Sequence, residues 1–190
     1  MSRARIEEGL DAVVQTAQAS KTLSAQVAKL ASRYADVLRG GGTLYFCGNG
    51  GSAADAQHLA AEYVIRYSAD RRPLAAVALT TDGSILTAGG NDLGFEHVFA
   101  RQVEALCRRG DLLILHSTSG QSANLVAAAQ AAKSRGVPVV AWLGKGGGAL
   151  ARMVDDAVII PSNVTSLVQL MHLAFEHLVV EAVERELVGS

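Results

Sequence analysis

The sequence predicts an α/β fold: a doubly wound, mainly five-stranded parallel sheet flanked by helices, with an N-terminal helical hairpin and a long C-terminal helix. Three observations carry this. From residue 43 onward, short apolar runs alternate with helix-prone segments. The runs are continuous, as in Leu112-Leu113-Ile114-Leu115 and Val137-Pro138-Val139-Val140, which suits strands covered on both faces. The first run ends in Gly48-Asn49-Gly50-Gly51-Ser52, a glycine-rich turn opening a helix, and ligands of such sheets bind beyond the carboxyl ends of the strands.

Residues 4–39 read as two helices, with Ile6, Leu10, Val13 and Val14, then Leu23, Val27, Leu30, Tyr34 and Leu38, at helical spacing. Ser20-Lys21-Thr22 separates them and Gly40-Gly41-Gly42 ends the second. So apolar a hairpin needs a surface to pack on, and part of it is expected to meet a neighbouring subunit. Strands are expected at 43–47, 74–79, 111–116, 137–143 and 156–160, and helices at 52–67, 83–90, 94–107, 121–135 and 163–188.

At 190 residues, 1–190 is expected to be one domain. A net charge of −1 argues against a nucleic-acid surface. No apolar leader opens the chain and no uninterrupted apolar run approaches the roughly 20 residues of a membrane span. Cys47 and Cys107 lack metal-type spacing and read as buried free thiols in a reducing compartment, which places the protein in the cytoplasm.

The first turn looks like a phosphate cradle. A helix aims its unpaired N–H groups and positive dipole end at such a turn, and Ser52, read as the N-cap, adds a hydroxyl. A second turn, His116-Ser117-Thr118-Ser119-Gly120-Gln121-Ser122-Ala123-Asn124, places four hydroxyls between a strand and a helix. Capping explains one of them, whereas a phosphate monoester with three acceptor oxygens uses several. Gly48-x-Gly50-x-x-Ala53 also fits a relaxed dinucleotide fingerprint, but the acidic residue expected about 20 positions on, at the end of the next strand, is missing.

Two helices carry the acid–base candidates. His58 and Glu62, at i and i+4, share a helix face and suit a metal pair or a proton-transfer pair. From this helix alone a solvent-facing pair is the simpler reading. The last helix carries Gln169, His172, Glu176 and His177 in an otherwise apolar run. Gln169 and His177 lie about 80° apart on its circumference, and His172 and Glu176 fall within about 40° of each other on the other side. Periodicity does not choose between the two histidines. Of the rest, His97 and the Arg66, Arg71 and Arg72 patch read as surface residues, and His116 as a packed or site-lining strand end. Lys145-Gly146-Gly147-Gly148 reads as a further turn placed to close over a ligand.

Five motifs now stand in order: Gly48-Asn49-Gly50-Gly51-Ser52; His58-x-x-x-Glu62; Gly90-Asn91-Asp92-x-Gly94-Phe95; Ser117-Thr118-Ser119-Gly120-x-Ser122-Ala123-Asn124; and Gln169-x-x-His172-x-x-x-x-His177. Together, over essentially the whole chain, they resemble the sedoheptulose 7-phosphate isomerases of the sugar-isomerase (SIS) domain superfamily. The resemblance implies a homotetramer with active sites at subunit interfaces and a zinc ion held by His58, Glu62, Gln169 and His177. It makes Glu62 the base and His177 the acid of an aldose–ketose isomerisation. It places Ser52, Ser117, Thr118, Ser119 and Ser122 on the substrate phosphate, and Asn49 and Asp92 on sugar hydroxyls. Gly50, Gly51, Asn91, Glu62 and Gln169 complete the implied substrate-binding set.

One departure stands out. The family commonly has an acidic residue followed by Arg before Gln169, and Glu after it; here the chain reads Ser166-Leu167-Val168 and Leu170. A substrate contact is lost or altered there. Non-catalytic relatives that bind phosphosugars or the bacterial replication initiator are the alternative, as is an isomerase of another phosphosugar. The presence of both Glu62 and His177 favours catalysis.

Overall fold

Five parallel strands lie side by side in the computed structural model, which describes residues 2–188. They are β1 (Leu44–Gly48), β2 (Ala76–Ala78), β3 (Leu112–Ser117), β4 (Val139–Leu143) and β5 (Asp156–Ile159), in the order β2-β1-β3-β4-β5. The order reverses between β1 and β3, so a crevice opens beyond their carboxyl ends. Both glycine- and serine-rich turns leave from these two strands.

Seven α-helices accompany the strands: α1 (Arg3–Ser20), α2 (Ser24–Arg39), α3 (Gly51–Val64), α4 (Gly83–Asp92), α5 (Val98–Leu106), α6 (Ala123–Ser134) and α7 (Thr165–Val188). Strand residues alternate between two cores. Leu44, Phe46, Leu112, Ile114, Val140, Trp142 and Val158 pack under α2, α3 and α7. Tyr45, Cys47, Leu113, Leu115, Val139, Ala141 and Leu143 pack under α5 and α6. Burial of each large side chain contributes about 1.5–3 kcal/mol, which is why both strand faces had to be apolar. Cys47 and Cys107 are free and buried, as expected.

Helix α7 covers the first core with rows at i, i+3, i+4 and i+7: Val168, Met171, His172, Phe175, Glu176, Val179, Val180, Val183 and Glu184 are buried. By length and composition Thr165–Leu187 is apolar enough to cross a membrane, but here that apolar row faces the sheet and α2. The hairpin forms as expected, with a short 3-10 turn at Lys21–Leu23 between α1 and α2. On α1, Ile6, Leu10 and Val14 form a stripe at least half exposed.

Several bounds shift for identifiable reasons. Strand β2 spans three residues rather than 74–79, because Leu74 donates its N–H to Tyr63 at the end of α3 instead of joining the sheet. Helix α3 stops at Val64 rather than 67, since the N–H groups of Tyr67, Ser68 and Ala69 turn to the Glu184 carboxylate. Strand β3 is displaced by one residue, β4 starts at Val139 and α6 at Ala123, and α4 runs on through Asn91 and Asp92.

Arg71 is not a solvated surface charge. Its side chain is 1% exposed, pairs with Glu184 through Nε at 2.7 Å, and donates to the carbonyls of Glu62 and Tyr63 at 2.7 and 2.9 Å. It thereby satisfies the open carboxyl end of α3 and ties it to α7. Burial alone would raise the Glu184 carboxyl; the three backbone N–H groups and Arg71 outweigh it and hold the pKa at about 2.

Candidate active site

The first turn is shaped by Gly50, whose φ of 56° is open to glycine at little cost. Gly50 occupies the N-cap of α3, so Ser52 is not the cap; it sits buried in the first turn and donates its N–H to Asn49. The helix start still directs its positive dipole end at the loop. In the second turn, Ser117 Oγ accepts from Gly120 N at 3.0 Å and Ser119 Oγ from Gln121 N at 3.3 Å. Ser122 is the N-cap of α6, yet its hydroxyl makes no capping bond. Plain capping therefore does not account for that hydroxyl, and the cluster retains a donor for a ligand.

The two turns are bound to each other. Asn49 and Asn124 exchange side-chain amide hydrogen bonds of 2.9 and 2.8 Å across the crevice. Beside them opens a cavity of about 480 Å³ lined by Asn49, Gly50, Phe95, Glu96, Ala123 and Asn124. Phe95 and Glu96, rather than Asn91 and Asp92, face this cavity; Asn91 donates to Asp92 at 2.7 Å on the exposed end of α4. The Lys145–Gly148 turn backs the serine loop, for Leu150 N donates to Gly120 O at 3.1 Å and a Cβ on Gly120 would meet Gly147 O at 1.9 Å.

Helices α3 and α7 bring together His58, Glu62 and His177. His58 Nε2 lies 2.8 Å from His177 Nε2 and 3.3 Å from Glu62 Oε1, and one ligand atom from each residue falls within 4.8 Å of the others. Tyr67 stacks on His177 with ring centroids 5.6 Å apart. Burial, then the neighbouring His58, lowers the His177 pKa against the opposing pull of Glu62. Two imidazole nitrogens and a carboxylate oxygen converging from two rigid helices could hold a metal ion, and this donor set suits zinc with an open coordination position. His58 does face solvent, with its side chain 46% exposed, but the pair does not stand alone because α7 supplies the third group.

Gln169 lies against the first turn. Its side-chain amide lies against Gly51, where a Cβ would come within 2.6 Å of Nε2, and 3.5 Å from Ser52 Oγ. His172 instead points into the core, with Nε2 at 3.1 Å from Leu143 O; burial, then His116, lowers its pKa to about 3. Ser166 is exposed in the first turn of α7. His97 is exposed beside Glu96.

His116 is a packed strand end, one of its two expected readings, while its partner and the burial of Asp55 escaped the sequence reading. Asp55 shares a face of α3 with Glu62 at i and i+7, with Oδ2 buried and unpartnered; burial raises its pKa against the pull of His116 and His58. His116 is fully buried against Glu176 of α7, and the stripe Leu112, Ile114, His116 was the one available hint. Burial opposes charge on His116 but the Glu176 carboxylate raises its pKa; burial also raises Glu176 against the pull of His116.

The sequence model of the SIS domain family matches residues 10–144. A phosphoheptose isomerase of Akkermansia muciniphila is 48% identical, covering 91% of this chain and 92% of its own. The structure of phosphoheptose isomerase from Neisseria gonorrhoeae superposes with a TM-score of 0.90 at 40% identity, covering 96% of this chain and 98% of that one. A phosphoheptose isomerase structure from Francisella tularensis gives a TM-score of 0.94 at 32% identity, covering 97% and 99%. With the two loops and the His–Glu–His convergence in place, the chain belongs to the phosphoheptose isomerase family of SIS-domain enzymes.

Proposed function

We propose that the protein, as one SIS-type domain over residues 1–190, converts D-sedoheptulose 7-phosphate to D-glycero-D-manno-heptose 7-phosphate. The observation that carries this is the convergence of Glu62 and His177 with His58 between α3, which starts at the glycine loop, and α7. A phosphate loop at the start of α3 and an acid–base pair further along the same helix fit a substrate with a phosphate at one end and a carbonyl at the other. Ser52, Ser117, Thr118, Ser119 and Ser122 bind the phosphate with the Gly50 and Gly51 backbone. Asn49 and Asp92 serve the sugar hydroxyls and Asn91 and Gln169 complete the substrate-binding set; Asn91 and Asp92, which lie on the exposed end of α4 away from the Asn49 cavity, would do so from an interface between copies.

Glu62 takes the C1 proton of the ketose, and the released electron pair forms the C1=C2 bond of an enediolate. His177 returns a proton at C2 as the C1 carbonyl forms, the O1 proton passes to O2, and Glu62 gives up its proton to solvent while His177 takes one back, which restores both groups. A zinc ion held by His58, Glu62, Gln169 and His177 would polarise the two sugar oxygens. Glu62 cannot be tight ligand and free base at once: either it exchanges between the roles or a zinc ion there would mainly organise the site. The half-exposed stripe Ile6, Leu10 and Val14 supports a homo-oligomer, taken as a tetramer with active sites at its interfaces. Buried free thiols support a cytoplasmic location.

The test is proton NMR of sedoheptulose 7-phosphate with the purified protein, with zinc and with a chelator. A heptose anomeric signal that disappears in His177→Ala is expected. Binding without turnover would overturn the assignment in favour of a sensor or of another phosphosugar, with Ser166 the first position to alter.

A further inference from the structure

Residue 116 ends a β3 stripe, Leu112 and Ile114, that is otherwise apolar, and residue 176 sits in an α7 row otherwise made by Val168, His172 and Val180. Both side chains are buried, joined through His116 Nε2 and Glu176 Oε2, while His116 Nδ1 and Glu176 Oε1 find no hydrogen-bond partner among the described residues. Phe46 and His172 flank the imidazole with ring centroids at 6.2 Å. Removing such a pair from water costs about as much as its attraction returns, and an apolar pair of similar volume is often as stable or more so. Stability does not explain its presence.

Its neighbours in sequence do. Ser117, whose hydroxyl holds Gly120 N–H in the phosphate loop, follows His116. His177, which meets His58, follows Glu176. One side-chain contact thus joins the strand end that carries the phosphate loop to the helical turn that carries the acid. The distance between these two backbones fixes how far a substrate's phosphate lies from the proton-transfer groups, and a misplacement of about 1 Å can cost about 100-fold in rate.

Resting on the isomerase reading above, we propose that His116 and Glu176 are positioning residues, a strut that sets the separation between the phosphate loops and the His58–Glu62–His177 trio.

The experiment compares wild type, the apolar double variant His116→Leu/Glu176→Leu and the exchanged double variant His116→Glu/Glu176→His. Thermal midpoints, kcat and KM for sedoheptulose 7-phosphate, and zinc affinity by titration with the metal alone are measured on each. The apolar variant is expected to keep its midpoint and to lose at least tenfold in kcat, with KM changed less than threefold and zinc bound at least fivefold more weakly. The exchanged variant is expected to recover most of kcat and of zinc affinity. Wild-type kcat and zinc affinity in the apolar variant would overturn the proposal, as would a loss that the exchange does not restore. Absence of turnover in wild type would instead count against the isomerase reading, and zinc affinity across the three proteins would then decide on the strut.

Discussion

His172 and His177 stand on one helix five residues apart and do different work. His172 lies in the row that packs on the sheet, and burial and His116 hold it neutral with a pKa of about 3. His177 lies in the neighbouring row, partly open to solvent, where His58 and Glu62 of α3 and the Tyr67 ring meet it. The carboxylates divide likewise: Glu184 is buried on Arg71, while Glu181 stays near the surface beside Arg185. The helical period separates the rows, but the element facing each row sets the chemistry.

The largest test of this difference is Glu62→Gln, which keeps the shape of the trio and removes the carboxylate proposed as the base. A loss of about 10²–10⁴-fold in kcat/KM is expected, with zinc still bound in stoichiometric amount. Wild-type turnover in that variant would remove Glu62 from the proton transfer and leave it a ligand only.

Next is the buried ion pair of the inner row. Glu184→Gln leaves the Arg71 guanidinium buried without its counter-charge, which costs about 3–5 kcal/mol. Thermal unfolding should show a drop of roughly 10 °C in Tm. Because the Glu184 pKa is depressed, to about 2, the pair's contribution is present above about pH 4.5 and is lost as pH falls toward 2. Wild type and variant should therefore converge in stability at the acid end.

Much of this was legible beforehand, and the exceptions share a cause. Continuous apolar runs located the strands, because both sheet faces are covered, and the glycine- and serine-rich turns marked the carboxyl ends of β1 and β3. Local pattern did not reveal that Leu74 would leave β2 for α3, nor that Arg71 would be drawn inside by Glu184, 113 residues away. The choice between His172 and His177 needed the position of α3, and the His116–Glu176 contact spans 60 residues. Ser52 was misread as a cap because a glycine with positive φ took that place. Side-chain spacing reports which residues share a face; it is silent on what that face meets.

A smaller effect separates the two histidines by pH. His172 takes up no proton in the native state until about pH 3, whereas the unfolded chain binds one below about 6.5. The His172 contribution to stability therefore falls as pH drops through that window, by about 1.6 kcal/mol between pH 6.5 and 5. The raised pKa values of His116, Glu176 and Asp55 act in wild type and variant alike, so the difference between the two isolates the His172 slope. In His172→Gln, which keeps a donor for Leu143 O, urea unfolding from pH 6.5 to 5 should lose this slope relative to wild type. An unchanged slope would show that His172 is not buried neutral.

The smallest effect is expected at Arg185, whose side chain is 73% exposed and pairs with Glu181 one turn earlier on α7. An acidic residue four positions before a basic one is the favourable helical arrangement, worth about 0.3–0.5 kcal/mol and reduced by salt. Arg185→Ala should accordingly shift Tm by less than about 2 °C, with the difference vanishing at high ionic strength. A loss above about 1 kcal/mol that persists in salt would mean that this end of α7 is covered in the assembled protein. The outer row would then divide in two, its first turns facing the substrate and its last turns facing another copy of the chain.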